Sequence, residues 1–333
     1  MTKKLSRRKF IERTAVAAAG AAALPNLSFS VPSSGFDPKG LPTRKLGNTG
    51  IDVPIMAFGA GSRWMSIEDD DKALELIEYA LDQGVYYWDT AASYGNDQIS
   101  SEERIGKLLP ARRKEVFLVT KVHERSADKA KEIIERSLKR LNTDYIDLLH
   151  VHSIKSVEDA ERLGDKGQVL EVLHKYRDEG VVRHIGFTGH ASASGMKRAA
   201  GLYDFEAMMI ALNHQVKSGE EDFENHAVPF AAREGMGVIA MKVIRPRESV
   251  EGLAPSDLMK YALTLDHFST ANIGTDSKEV LDANLELIRN FKPLSKPEME
   301  KITATLDPFF RHHNVAWMEP GYVDGRHYHL PSA

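Results

Sequence analysis

The sequence predicts an α/β protein whose main domain is a (β/α)8 TIM barrel. Short β-branched or aromatic runs alternate with amphipathic stretches along most of the chain, which indicates parallel βα units. Seven such runs occupy residues 85–90, 116–121, 145–152, 182–188, 207–213, 237–242 and 271–274. Their polar or glycine ends follow one another at steps of 32, 31, 36, 25, 29 and 32 residues. A barrel of about 250 residues has roughly 31 per unit. With residues 51–59 as the first strand, the count reaches eight.

The stretches between the runs have the periodicity of helices. The clearest are residues 71–83, 127–141, 167–179 and 277–291. A doubly wound sheet is the structural alternative, and it normally carries a G-x-G-x-x-G turn after an early strand. Gly59 and Gly61 lie near the first strand, but the third glycine is missing. The pattern therefore favours the barrel.

The composition excludes several classes of site. The chain has 333 residues, a formal net charge of −4 and no cysteine. Without cysteine there are no disulfides, thiolate metal sites, iron–sulfur clusters or cysteine nucleophile, so a metal would need His, Asp or Glu. Residues 1–30 carry a net charge of +5, which leaves about −9 on the rest. A negative charge of this size argues against nucleic acid as a partner.

Residues 1–33 differ from the rest and are predicted to form a signal peptide and linker. Residues 7–10 read Arg-Arg-Lys-Phe, and residues 14–24 form an alanine-rich apolar stretch. This stretch is shorter than the roughly 20 apolar residues of a membrane span but suits the apolar region of an export signal. The paired arginines resemble the twin-arginine signal. We therefore expect the twin-arginine export machinery as a partner, cleavage between residues 23 and 34, a periplasmic or other extracytoplasmic location, and no stable membrane span after processing.

Polar side chains end three consecutive predicted strands. Asp89, Lys121 and His152 stand at these ends, and Tyr94 follows Asp89 in the loop DTAASYGN. In a barrel of this kind, chemistry takes place at the C-terminal ends of the strands. A carboxylate, an ammonium, an imidazole and a phenol are therefore expected to converge at one mouth.

These four groups suit proton transfer to a carbonyl. A phenol has a pKa near 10, and an adjacent ammonium such as Lys121 lowers it by favouring the phenolate, so Tyr94 becomes a usable proton donor. Asp89 can pair with Lys121, and His152 can donate a hydrogen bond to the carbonyl oxygen. Carbonyl reduction also requires a hydride that no side chain supplies. A nicotinamide cofactor across the barrel mouth is therefore expected.

The same segments resemble those of the aldo-keto reductases. In DTAASYG, VTKVH and YIDLLHVH, the family's catalytic Asp, Tyr, Lys and His fall on Asp89, Tyr94, Lys121 and His152. The resemblance implies an NAD(P)(H)-dependent oxidoreductase that interconverts a carbonyl (aldehyde, ketone or sugar) and its alcohol, with Tyr94 as general acid or base.

The similarity extends beyond the catalytic segments. Residues 44–61, 185–190 and 273–286 look like the opening strand, the fifth-strand segment, and the cofactor loop with the last barrel helix of the family. The expected barrel therefore covers residues 41–292, and residues 293–333 form a C-terminal extension rich in histidine. We expect this extension to pack over the side or mouth of the barrel.

The resemblance also implies a set of cofactor-binding residues. They are Thr188 and Asn213 near the nicotinamide, Lys242, Gly274 and Thr275 at the phosphates, Lys278 as the nearest cation, and Asn284 at the adenine. Thr188-Gly189 stands where many members have Ser-Asn. The family at large favours NADP, whereas an acid such as Asp276 near the ribose usually indicates NAD, so the cofactor is NADP or NAD.

The loops at the mouth would determine the substrate. Trp64 and His123 are the expected substrate contacts, with a tryptophan that seals the barrel rim as the alternative for Trp64. His150 lies two residues before His152 and faces the same way. No third ligand recurs at suitable spacing, so we expect no metal site and interpret His150 as a polar residue of the barrel interior.

Two other functions remain open. The first is a non-catalytic barrel that binds a nicotinamide nucleotide. The second is a metal-dependent barrel hydrolase or isomerase built on Asp89, His150 and His152. Because free nicotinamide nucleotides are expected to be scarce outside the cytoplasm, an exported reductase is expected to retain its cofactor tightly.

Overall fold

The predicted barrel is confirmed in a computed structural model, which describes residues 35–95, 98, 100–212, 223–244 and 250–311. The strands are β1 (Thr43–Lys45), β2 (Asp52–Pro54), β3 (Met56–Gly59), β4 (Tyr87–Asp89), β5 (Phe117–Val122), β6 (Ile146–Val151), β7 (Val182–Gly189), β8 (Ala207–Ala211), β9 (Gly237–Met241) and β10 (Phe268–Gly274). Eight of them are parallel and close into a barrel in the order β10-β3-β4-β5-β6-β7-β8-β9.

Helices surround the barrel. They are α1 (Ser62–Met65), α2 (Asp70–Asp82), α3 (Ser101–Arg112), α4 (Ala127–Leu141), α5 (Val157–Arg162), α6 (Val169–Asp178), α7 (Ala193–Leu202), α8 (Val228–Arg233), α9 (Pro255–Thr264), α10 (Lys278–Arg289) and α11 (Lys296–Arg311). In the part of the chain that the structure describes, no helix is both long and apolar enough to cross a bilayer.

The helix α4 shows how the sequence builds this shell. Its bounds are those that the periodicity predicts. The buried positions are Ala130, Ile133, Ile134, Ser137 and Leu141. They recur at three- and four-residue steps and form one apolar face against the barrel. Each buried Ile or Leu contributes about 1.5–3 kcal/mol, and Asn142 ends the helix in the left-handed conformation.

The prediction of a single first strand over residues 51–59 was wrong, because this range contains two strands. Asp52–Pro54 pairs antiparallel with Thr43–Lys45, whereas Met56–Gly59 enters the barrel beside β10 and β4. Pro54 has no N–H to continue a ladder. At Ile55 the chain changes partner, since its N–H donates to Pro42 O (3.0 Å) and its carbonyl accepts from Ala271 N (2.9 Å).

The C-terminal extension begins with a helix. In α11, Ile302 and Leu306 are buried, and the helix contacts α9. The backbone N–H of Leu294, just before it, donates to Thr264 Oγ1 (2.9 Å). The predicted signal peptide at residues 1–33 and the histidines of the tail lie outside the described residues.

Two buried residues at the start of α3 bond to the barrel. Ser101 Oγ donates to Ala60 O (2.7 Å), while Glu102 is fully buried and accepts from Thr120 Oγ1 (2.7 Å). Burial raises the pKa of Glu102, against hydrogen bonds from Thr120 and Ser137 that favour the carboxylate. Because the folded-state pKa lies above the unfolded value near 4.5, Glu102 contributes stability at low pH that is lost as pH rises.

We expect Glu102→Gln to stabilise the protein increasingly with pH. At pH 4 the free energy of unfolding should match the wild type. As the pH rises past the folded-state pKa of Glu102, the free energy of unfolding of the variant should come to exceed that of the wild type. The difference should be about 1.4 kcal/mol for each unit by which burial raises this pKa. Urea unfolding between pH 4 and pH 8 measures the difference. The explanation is contradicted if the difference in free energy of unfolding does not depend on pH. It is also contradicted if the wild type becomes the more stable protein at high pH.

Candidate active site

The four predicted catalytic residues meet at the C-terminal mouth of the barrel. Asp89 ends β4, Lys121 lies near the end of β5, and His152 directly follows β6. Tyr94 lies in the loop between β4 and α3. All four side chains are buried, with exposures from 1 to 7%. The structure therefore brings together residues that are up to 63 positions apart in the sequence.

Asp89 and Lys121 form a buried ion pair. Lys121 Nζ donates to Asp89 Oδ1 (2.8 Å), to Asp89 Oδ2 (2.7 Å) and to the carbonyl of Thr90 (2.7 Å). An ammonium has three protons, so these contacts use all of them. A buried pair is stable only with such full hydrogen bonding, because both charges have left water. The ammonium is thus held at a fixed point below Tyr94.

Tyr94 lies between the ammonium and the imidazole. Lys121 Nζ lies 4.7 Å from the centroid of the Tyr94 ring. The ring of His152 meets the same ring edge-on, with centroids 6.0 Å apart. Backbone hydrogen bonds from Tyr94 N to Ala91 O and from Ser101 N to Tyr94 O, both 3.0 Å, hold the loop. The phenol therefore has a cation on one side and a hydrogen-bonding ring on another.

The loop after β6 fixes His152. Its backbone N–H donates to Val122 O (2.8 Å), and Ser153 next to it has a positive φ of 60°. A non-glycine residue in this region is uncommon and is held by its surroundings. Here the hydroxyl of Thr188 accepts from Ser153 N (2.9 Å), and the carbonyl of Thr188 accepts from Ile154 N (2.7 Å). Thr188 thus supports the histidine loop, in addition to its predicted place near the nicotinamide.

Asn272 was not singled out from the sequence, whereas His150 was predicted to be a polar residue of the barrel interior. Asn272 Nδ2, on β10, donates to Asp89 Oδ2 (2.7 Å). His150 is fully buried beside Lys121 on the neighbouring strand, opposite Gly186. Burial holds the pKa of His150 well below its usual range, and the nearby charges of Lys121 and His152 act in the same direction. A signal for Asn272 existed, because it is an amide two positions before Gly274, near the C-terminal end of a predicted barrel strand.

The predicted phosphate and adenine residues lie after β9 and β10. Lys242 has a left-handed backbone with φ 57°, and Thr275 is buried. A Cβ on Gly274 would come within 2.9 Å of Arg63 Cβ, so no larger residue fits there. Asn284 is 8% exposed, and its Nδ2 has no hydrogen-bond partner among the residues that the structure describes. The predicted Asn213 lies outside those residues.

Arg63 and Lys278, which lie near the predicted cofactor loop, each form an ion pair with a carboxylate. Arg63 Nη1 contacts Asp276 Oδ2 at 2.5 Å and links α1 to the loop after β10. Lys278 Nζ contacts Asp282 Oδ2 at 2.7 Å and lies 4.2 Å from the centroid of the Tyr79 ring. Lys278 is thus paired within α10 and also contacts α2, and its place near a cofactor phosphate stays a prediction.

Of the two predicted substrate contacts, Trp64 is buried and His123 is partly exposed. Trp64 is fully buried, and its indole N–H donates to Ala73 O (2.9 Å) while Arg104 lies over its ring at 5.2 Å. This placement agrees with a tryptophan that seals the rim and does not support Trp64 as a substrate contact. The side chain of His123 is 41% exposed, and burial of its remainder lowers its pKa. Among the described residues, no three His, Asp or Glu side chains are grouped to hold a metal ion.

Comparisons with known proteins agree with this geometry. The model of the aldo/keto reductase family matches residues 56–246, which include all four catalytic candidates. L-galactose dehydrogenase of Arabidopsis thaliana is 34% identical over 162 residues, 44% of this chain and 48% of that protein. An NADP(+) aldo-keto reductase of Schizosaccharomyces pombe is 33% identical over 186 residues, 51% of this chain and 52% of that protein.

A solved structure extends the comparison to the fold. An aldo-keto reductase of Bacillus halodurans superposes with a TM-score of 0.66 over 80% of this chain and 96% of its own, at 24% identity. The chain spans about half the length of the two curated relatives. The family model nevertheless covers more than half of the chain, from the first barrel strand to the loop after the seventh. The chain therefore belongs to the aldo/keto reductase family.

Proposed function

We propose that the protein is an NAD(P)(H)-dependent oxidoreductase that interconverts a carbonyl compound and its alcohol. One observation carries the proposal. The ammonium of Lys121, bonded to both oxygens of Asp89, lies 4.7 Å from the ring of Tyr94, and His152 meets that ring from another side. This is an arrangement for moving a proton at the phenol oxygen.

Each residue has a distinct task. The Lys121 ammonium favours the phenolate form of Tyr94 and so makes the phenol a better acid. In carbonyl reduction, the Tyr94 hydroxyl donates its proton to the carbonyl oxygen, and in alcohol oxidation its phenolate accepts the alcohol proton. His152 donates a hydrogen bond that orients the carbonyl. Asp89 holds the ammonium in place.

The residues after β10 fit a dinucleotide. Gly274 lies where a side chain would collide with Arg63, Thr275 is buried, and Ser277 caps the N-terminus of the twelve-residue helix α10. A helix N-terminus after the eighth barrel strand suits a phosphate. The buried Nδ2 of Asn284 is a donor available to a base. A nicotinamide cofactor bound there would supply or accept the hydride.

The test combines binding and turnover. Purified protein is titrated with NADPH and with NADH by fluorescence, and then mixed with aldehydes, ketones and aldoses while nicotinamide absorbance is followed. We expect binding of at least one nucleotide and turnover of at least one carbonyl. Failure of both nucleotides to bind contradicts the proposal, and binding without turnover favours a non-catalytic nucleotide-binding barrel. Metal analysis of the same preparation tests a metal-dependent hydrolase or isomerase.

We propose further that Asp276 limits affinity for NADP(H). A 2′-phosphate requires a nearby cation. In the described part of the mouth, Arg63 is neutralised by Asp276, and Lys278 by Asp282. A phosphate placed beside Asp276 would also meet a like charge. This favours NAD, against the preference for NADP that the family suggests.

We expect Asp276→Asn to strengthen NADPH binding about tenfold, which corresponds to roughly 1.4 kcal/mol. The substitution removes the carboxylate and releases Arg63, while NADH affinity should stay within about twofold. Fluorescence titration of both nucleotides gives the ratio. Asp282→Asn is the control, because it frees Lys278 without touching Asp276. An equal gain in the control would assign the phosphate to Lys278, and no gain in Asp276→Asn would contradict its role.

We also propose that the protein is exported, and the proposal rests on its amino-terminal sequence. The paired arginines and apolar stretch of residues 7–24 support a twin-arginine signal. Because such signals carry folded proteins, we propose that the cofactor is bound before export and retained. Cell fractionation of the wild type and of a variant with Arg7→Lys and Arg8→Lys tests export. Absorbance of dialysed exported protein tests retention, and a fully apo protein with weak rebinding contradicts it.

A further inference from the structure

Asn272 contacts the catalytic ion pair from the last barrel strand. Its Nδ2 lies 2.7 Å from Asp89 Oδ2. An ionised carboxylate can only accept hydrogen bonds, so the amide must turn its NH2 group toward Asp89. Gly59 makes this possible, because a Cβ there would come within 2.9 Å of Asn272 Oδ1. The amide therefore occupies a gap that the adjacent strand leaves open.

The contact adds a hydrogen bond to the Asp89 carboxylate beside those from Lys121. Oδ1 accepts from Lys121 (2.8 Å), whereas Oδ2 accepts from both Lys121 (2.7 Å) and Asn272 (2.7 Å). Asp89 and Lys121 are each about 1% exposed. In such a dry site, desolvation favours transfer of the lysine proton to the carboxylate, which would leave two neutral groups. A donor to the carboxylate opposes that transfer, because its hydrogen bond to the charged carboxylate is stronger than its hydrogen bond to the neutral carboxyl.

We propose that Asn272 is a positioning residue that keeps the Asp89–Lys121 pair ionised and thereby preserves the positive charge below Tyr94. The inference rests on the proposed function for its consequence in catalysis. Its electrostatic part, the effect on Tyr94 ionisation, concerns only residues of this chain and can be measured without turnover. A purely structural Asn272 would fill space beside Gly59 and leave Tyr94 ionisation unchanged.

The test uses two replacements of similar size. Asn272→Leu removes the donor. Asn272→Asp keeps a donor only while the new carboxyl is protonated. Thr270→Val is the matched control, because Thr270 lies two residues earlier on the same strand, is fully buried, and has no partner for its hydroxyl among the described residues. Thermal unfolding and nucleotide titration of each variant show that the fold and the cofactor site are intact.

The first readout is the ultraviolet difference spectrum of tyrosinate formation. Subtracting Tyr94→Phe in the same background isolates Tyr94. We expect Asn272→Leu to move the midpoint of this ionisation about one pH unit upward, because the Asp89–Lys121 pair loses a hydrogen bond to its charged carboxylate. Thr270→Val should leave the midpoint unchanged. An unchanged midpoint in a folded Asn272→Leu protein overturns the proposal, whether or not the protein turns over any carbonyl.

The second readout is the pH profile of alcohol oxidation at saturating cofactor. We expect kcat of Asn272→Leu to fall about tenfold with KM nearly unchanged, and its rise with pH to start later than in the wild type. In Asn272→Asp, the rate should fall with pH where that of the wild type rises, because the donor is lost on ionisation. Parallel profiles for all variants overturn the proposal. If the wild type shows no turnover while the Tyr94 midpoint shifts as expected, the proposed function fails and the electrostatic role of Asn272 stands.

Discussion

Tyr94→Phe is expected to lower kcat by about 10²–10⁴-fold, the usual contribution of a positioned general acid. Phenylalanine keeps the ring beside Lys121 and His152, and the aromatic contacts at 4.7 and 6.0 Å are retained. Only the hydroxyl is lost. The proton for the carbonyl oxygen would then have to come from water or from His152.

The measurement compares nucleotide binding with steady-state turnover. Nucleotide affinity should stay within about twofold, because the predicted cofactor residues, which run from Thr188 to Asn284, do not include Tyr94. KM for the carbonyl should change little if the hydroxyl acts chiefly in the transition state. A variant that keeps more than about a tenth of wild-type kcat would show that another group supplies the proton. In that case His152→Gln identifies whether the imidazole is that group.

Much of the fold and of this site is visible in the sequence because both depend on local pattern. Strand-end polar residues and the spacing of about 31 residues place Asp89, Lys121 and His152 at one mouth without any knowledge of contacts. Helix α4 was predicted to the residue because its apolar period continues until Asn142 ends it. The break of the first predicted strand at Pro54 depends instead on which strands pair, which the apolar run does not reveal.

The contributions that the sequence did not predict are long-range. The pairing of Arg63 with Asp276 joins residues 213 positions apart, and the contact of Asn272 with Asp89 joins residues 183 apart. For Trp64 the sequence left two alternatives, a substrate contact and a tryptophan that seals the rim, and only the contacts with Arg104 on α3 and Ala73 on α2 decide for the second. Such placements follow from the packing of elements distant in sequence, and no local pattern specifies them.

Lys121→Met is expected to combine loss of activity with a loss of about 3–5 kcal/mol in the free energy of unfolding, the usual cost of removing one partner of a buried ion pair. The substitution leaves the Asp89 carboxylate, which is 1% exposed, without the ammonium, while the Asn272 amide still donates to Oδ2. One amide cannot replace the ammonium that bonds both carboxylate oxygens. Without that ammonium, the phenol of Tyr94 also loses the cation that favours its ionisation.

The matched double variant separates stability from catalysis. Asp89→Leu with Lys121→Met removes both charges, and replacement of a buried pair by apolar residues is often neutral or stabilising. Urea unfolding should therefore show most of the lost stability recovered, whereas carbonyl turnover should stay as low as in Lys121→Met alone. If the double variant is as unstable as the single one, the loss comes from packing and not from an uncompensated carboxylate. If either variant retains turnover near that of the wild type, the ammonium does not activate Tyr94, and the buried pair serves only the fold.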